Sequence, residues 1–253
     1  MLQSIFATKI GMTQVWDTRG HRFAVTKCKF TPNVVVGIQN QNSDKLQQDQ
    51  SAKMYIIGYG QKKLKNVSKP LQTKLKQSGF SFGVSKMKGV FSTSETELPA
   101  GTVIGIDQVV KVGDVVAVRG VSRGRGFAGG VKRYGFHGGP KTHGQSDRQR
   151  AIGSIAAGTT PGHVFKGKRM AGHYGVETIT VKGLTILHID NQNQEIWLSG
   201  PVPGSISSII QISPLGENQE VKLDFKASNI EVASQEPQAE AVVEVVSEVE
   251  ESK

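Results

Sequence analysis

Arg119-Gly-Val-Ser-Arg-Gly-Arg-Gly-Phe-Ala-Gly-Gly-Val-Lys-Arg-Tyr134 opens a segment that continues through Lys166-Gly-Lys-Arg-Met-Ala-Gly172 to Gly175. Residues 119–175 hold 11 Lys/Arg against one acid, Asp147, together with 15 of the 30 glycines and four of the six histidines. Their formal charge, +10, equals that of the whole 253-residue chain. Such a stretch has too little apolar surface to offset its ordering entropy, and its like charges repel one another. A polyanion would supply what is missing: phosphates for the cations, and bases to stack on Phe127, Tyr134, Phe136, Phe165 and Tyr174. The segment reads as an arm that penetrates RNA. The core must then come from the flanks on either side.

Those flanks read as β-rich. Short apolar or alternating runs occur at 4–7, 13–16, 23–29, 34–38, 54–58, 103–106 and 115–118, then at 178–181, 184–189, 196–199 and 206–212. Turn chemistry separates them at Asp17-Thr-Arg-Gly20, Val112-Gly-Asp114 and Asp190-Asn-Gln-Asn193, the last a hairpin loop. Many short strands with turns between them predict a mainly β protein, a barrel or sandwich. One short helix is expected at about 69–78, with Ser68 as cap, Pro70 in the first turn, Leu71 and Leu75 four apart, and Gly79 as its stop.

Two segments are expected outside the compact body. Residues 40–50 are polar and rich in Gln and Asn, as an exposed loop is. The tail from Ala227 to Lys253 carries seven Glu and one Lys, leaving +16 on residues 1–226. Glu240, Glu244 and Glu248 repel at helical spacing, so the tail reads as acidic and disordered. A single cysteine, Cys28, excludes an intramolecular disulfide framework and fits a reducing cytosol. The first residues show neither a charged n-region nor a long apolar h-region, so no signal peptide is expected. No apolar run approaches the roughly 18 residues of a spanning helix. The expected setting is the cytoplasm.

Gly124-Arg-Gly-Phe-Ala-Gly129 matches the dinucleotide pattern G-x-G-x-x-G, but that pattern must open a helix, and the residues that follow read poorly as one. His137, His143, His163 and His173 lack the spacing of a metal site and sit among cations. Cys28 lies in an alternating strand, where thiols usually pack. No cofactor, metal, small-molecule substrate or catalytic residue is expected. A run of bases is ordinarily a solvated face, but solvated lysines come with interspersed acids, and here one acid accompanies eleven bases. The expected phosphate ligands are Arg119, Arg123, Arg125, Lys132, Arg133, Lys141, Arg148, Arg150, Lys166, Lys168 and Arg169. Phe127 and His143 are expected to stack or hydrogen-bond. The rivals are an RNA-modifying enzyme and a free-standing nucleic-acid-binding module.

Particular motifs go further. Lys9-Ile-Gly-Met-Thr13, Gly58-Tyr-Gly60, Ser68-Lys-Pro70, Gly113-Asp114 and Gly120-Val-Ser-Arg-Gly-Arg-Gly-Phe-Ala-Gly129 resemble the bacterial family of the third protein of the large ribosomal subunit. So do Thr142-His-Gly144, Gly153-Ser-Ile155, Thr160-Pro-Gly162 and Val164-Phe-Lys-Gly-Lys-Arg-Met-Ala-Gly172, and the resemblance covers roughly residues 1–212. It implies a translation-protein-type β-barrel with a long loop inserted between strands. The body would be 1–118 plus 176–215, the arm 119–175 and the acidic tail 216–253. It also implies direct, early binding to 23S rRNA near its 3′ end, neighbouring large-subunit proteins as partners, and a loop reaching toward the peptidyl transferase centre. The loop tip would be Gly153, Ser154, Ala157, Gly158, Thr159, Thr160 and Pro161. Some members carry an N5-methylated glutamine at this tip; Gly153–Gly162 here has no glutamine, so that modification is not expected.

Overall fold

The computed structural model describes residues 2–39, 53–92, 98–218 and 223–224. The polar loop at 40–50 and the acidic tail beyond 224 lie outside the described residues. Two compact units are present, Met1–Thr13 with Ala24–Val221, and Gln14–Phe23 with Lys222–Lys253. In the smaller unit Asp17 pairs with Leu223, and the Asp224 amide donates to the Trp16 carbonyl at 2.9 Å.

Six strands close into a barrel, in the order β1 (Ile5–Trp16), β12 (Ile209–Asn218), β7 (Asp114–Val121), β10 (Thr178–Asp190), β11 (Glu195–Ser199) and β2 (Arg22–Phe30). The seams from β1 round to β2 are antiparallel. Val116 and Val118 of β7 are fully buried, while Arg119 beyond them is exposed. Ile196 and Leu198 of β11, Ile186 of β10, and Ile210 and Ile212 of β12 fill the same core.

Residues between β2 and β7 build a second sheet, β5 (Gly83–Ser92), β4 (Lys53–Lys62), β3 (Asn33–Gln39) and β6 (Val103–Ile104), in that order. One face gives Val35, Tyr55, Ile57, Val90 and Ile104 to the barrel's core, and Tyr59 stacks on Phe6 at 4.4 Å. The other face, with Val34, Val36 and Val84, packs with Phe80 and with Leu75 of helix α1 (Lys69–Gln77). Covered on both sides, β3 buries Val34, Val35 and Val36 in succession. Ser68 stands at the N-cap position, but its hydroxyl makes no capping bond. The start of the helix is held instead by the Gln72 amide, which donates to the carbonyls of Leu64 and Val67 at 2.9 and 2.7 Å.

The mainly β reading holds, with four corrections of detail. Runs 4–7 and 13–16 are ends of one strand, β1. Runs 178–181 and 184–189 are one strand, β10, whose register shifts between Val181 and Leu184, beside Gly183 at φ +78. β5 was not anticipated, because its central residues are all exposed and carry no alternation; the pairing with β4 makes it a strand. The expected single helix is joined by a second, α2 (Gly130–Tyr134). The Asp190 hairpin is as expected: its carboxylate accepts from the Gln192 and Asn193 amides at 2.9 and 3.1 Å. Among the described residues no helix is long and apolar enough to cross a membrane.

Candidate nucleic-acid interface

The arm leaves the barrel as a continuation of its ladder. Val121 of β7 pairs with Thr178 of β10, and the Ser122 amide donates to the Glu177 carbonyl at 2.8 Å. The Arg125 amide then reaches the Tyr174 carbonyl (2.8 Å), and the Tyr174 amide the Gly126 carbonyl (2.9 Å). A two-residue pairing of β8 (Phe127–Ala128) with β9 (Gly172–His173) completes this root. At Gly175, φ is +84° and a Cβ would meet the Arg123 carbonyl, so the limbs close only around glycine there. The next residue, Val176, is held at φ 57°, a costly conformation for a β-branched side chain.

Above the root comes α2, one turn ended by Gly135 in the left-handed conformation (φ 74°). A helix therefore does follow the G-x-G-x-x-G stretch, against expectation. It is only five residues long, and β8 before it pairs antiparallel, so the βαβ frame of a dinucleotide site is absent here. A Cβ on buried Gly130 would strike Ile152 and Phe136, which marks a small apolar cluster inside the arm. The limbs pinch again where the Gly139 amide donates to the Gln149 carbonyl at 2.9 Å. From Gly153 to Arg169 every residue is exposed, the tip residues Ser154, Ala157, Gly158, Thr159, Thr160 and Pro161 among them.

Of the anticipated RNA ligands, Arg119, Arg123, Arg125, Lys132, Lys141, Arg148, Arg150, Lys166, Lys168 and Arg169 are exposed, as are Phe127 and His143. Among the described residues none of these cations is in an ion pair. Lys27 and Glu195 do pair, at 3.9 Å, but on the barrel. Arg133 differs. It is half-buried, and its Nη1 donates to the Met170 carbonyl at 3.0 Å, tying the outgoing limb to the returning one.

The aromatic residues divide in two. Phe127 and Phe165 are 72% and 56% exposed, each meeting a histidine edge to face, His173 at 5.9 Å and His163 at 6.0 Å. Tyr134 and Tyr174 are half-buried and serve the arginines instead: Arg133 and Arg169 lie 5.0 and 5.5 Å from the Tyr134 centroid, and Arg125 lies 4.8 Å from that of Tyr174. A planar guanidinium over a ring keeps its fork of donors oriented, which suits phosphate contacts. Arg–Tyr spacing along one limb was the only sequence sign of this, and it covers Arg133–Tyr134 alone. Lys86 and Lys88 of β5 were also missed, since the strand itself was.

Cys28, fully buried in β2, has its thiol pushed up to about 12, chiefly by burial, with Lys9 opposing and Glu195 adding to the rise. It is a packing residue.

Residues 45–203 match the family described as ribosomal protein L3. The chain belongs to that family. Proteins named large ribosomal subunit protein uL3 are similar to it along most of their length. The one from Herpetosiphon aurantiacus is 41% identical over 213 residues, 84% of this chain and 96% of the relative. That from Dehalococcoides mccartyi is 39% identical over 221 residues, 86% and 100% of the two chains. That from Persephonella marina is 39% identical over 213 residues, 84% and 89%. The L3 family consists of structural, non-enzymatic ribosomal proteins, which removes the RNA-modifying-enzyme reading. The matched span contains the whole arm, from Arg119 to Gly175.

Proposed function

We propose that this chain is a structural constituent of the large ribosomal subunit that binds 23S rRNA directly through its arm. The observation that carries this reading is a pair of zipped limbs displaying ten exposed Arg/Lys side chains with no ion-pair partner among the described residues. In isolation that arrangement is self-repelling; between converging rRNA helices each cation neutralises a phosphate and releases counterions. Glycine backbone passes where side chains would not fit. By resemblance to the family, the contact lies near the 3′ end of 23S rRNA, forms early in subunit assembly, and leads the tip, 153–162, toward the peptidyl transferase centre. Neighbouring large-subunit proteins are further partners, and the location is the ribosome of the cytoplasm.

The tip brings no acid, base or metal ligand of its own, only the hydroxyls of Ser154, Thr159 and Thr160. It therefore acts by supporting RNA shape. Sedimentation of the tagged chain in a sucrose gradient tests the reading. Co-migration with the large subunit through a high-salt wash is expected, and migration as free protein overturns it. Deleting 153–162 tests the tip: assembly is retained, while tRNA accommodation or sensitivity to peptidyl-transferase drugs changes. Ribosomes identical to wild type in both would make the tip a spacer.

A further inference from the structure

A cleft of about 290 Å³ lies between the edge strand β5 and the barrel strands β7 and β12. Lys86 and Lys88, two residues apart on β5, share the face that carries buried Val90 into the core. Where that face leaves the core it meets Arg119 of β7, whose register partner on β12 is Gln211. The Lys88 ammonium donates to Gln211 Oε1 at 2.7 Å, and Gln211 Nε2 donates to the hydroxyl of Ser4, a residue only 2% exposed. A buried anchor thus aims one of the three cations. The stacked rings of Phe6 and Tyr59 line the cleft from the core side, and no carboxylate is among the described residues lining it. Burial, and then the nearby charge of Arg119, pull Lys88 below the usual lysine value, as expected where like charges converge without a counter-charge. Val121 and Thr178, the pair at the arm's root, line the same cleft, so it is continuous with the basic arm.

We propose that this cleft is a second nucleic-acid site, in which Lys86, Lys88 and Arg119 hold backbone phosphates of the RNA strand that runs along the arm. A concave surface lined by one sign of charge over a low-dielectric floor concentrates the field and draws in a polyanion. Phosphate contacts of this kind position the RNA without selecting its sequence. This inference rests on the reading of the arm as an rRNA ligand and extends the footprint from the arm onto the body.

The test uses the full chain and an rRNA fragment, with affinity measured against salt concentration. Lys86→Gln with Lys88→Gln should make the log–log slope shallower by about 1.4–1.8, two phosphate contacts at about 0.7–0.9 each. A charge-matched control, Lys74→Gln with Lys76→Gln on α1, lies on the helix that covers the other face of the sheet and should leave the slope unchanged. The cleft proposal falls if the Lys86/Lys88 variant keeps the wild-type slope. It falls equally if the control loses as much, because net charge rather than a site would then explain the effect. A wild-type chain that does not bind the fragment at any salt concentration overturns the function reading itself, a result distinct from either.

Discussion

Two insertions interrupt the same barrel, and they behave oppositely. The first, between β2 and β7, carries Val34, Val36, Leu75, Phe80 and Val84, enough to cover its own outer face while its inner face joins the barrel's core. At about 1.5–3 kcal/mol for each fully buried apolar side chain, such an insertion holds itself against the body. The second, between β7 and β10, buries only Ala128 and Gly130 beyond Gly120 at its root. It is held by a ladder of backbone hydrogen bonds, the Arg133 tie and arginines laid on tyrosines. The difference teaches that an insertion without apolar alternation keeps its surface for something outside the chain. Eleven bases against one acid fit the polyanion partner proposed above.

The comparison can be broken most sharply in the barrel. Leu198→Ala, at a fully buried position of β11, should lower unfolding free energy in urea by about 2–5 kcal/mol. Phe127→Ala, on the exposed surface of the arm, should change it by less than about 0.5 kcal/mol. Equal losses would mean that the arm belongs to the cooperative core. Next in size, replacing Arg123, Arg125 and Lys132 together by Ala should leave the unfolding midpoint alone and flatten the salt dependence of rRNA-fragment binding by about 2–3 log units per log unit of salt. An unchanged slope would remove those three as phosphate ligands.

Arg133 sharpens the division within the arm. Arg133→Ala deletes the bond to the Met170 carbonyl, of the order of 1.5–3 kcal/mol for a charged donor and less where half-exposed. Without RNA, trypsin should then cut faster around Lys166–Arg169, with barrel unfolding unaffected; an unaltered cleavage rate would show that the tie holds nothing. The smallest expected effect is at Cys28. Because the thiol is pushed up to about 12, almost none is ionised at pH 8, so iodoacetamide should label it only after unfolding. Labelling of the native chain at the rate of a free thiol would show that the barrel opens there.

Much of this was legible in the residues themselves. The arm's chemistry is compositional, the Asp190–Asn193 turn follows from a side chain acting on backbone two and three residues away, and α1 runs where Pro70 and Gly79 bound it although its Ser68 cap makes no bond. The exposed setting of ten of the eleven predicted cations needed no coordinates. Tertiary structure alone decided the rest. β5 is a strand because β4 is beside it, although its own middle residues show no alternation. Arg133, indistinguishable in sequence from Arg123 or Arg125, turns inward because the returning limb brings the Met170 carbonyl within reach. Lys88 and Gln211, 123 positions apart, meet because β5 and β12 face one another across the cleft. Short-range patterns report torsional preference, solvation and charge, which each residue carries with it. Which distant groups become neighbours depends on how the sheets close, and that is a property of the whole chain.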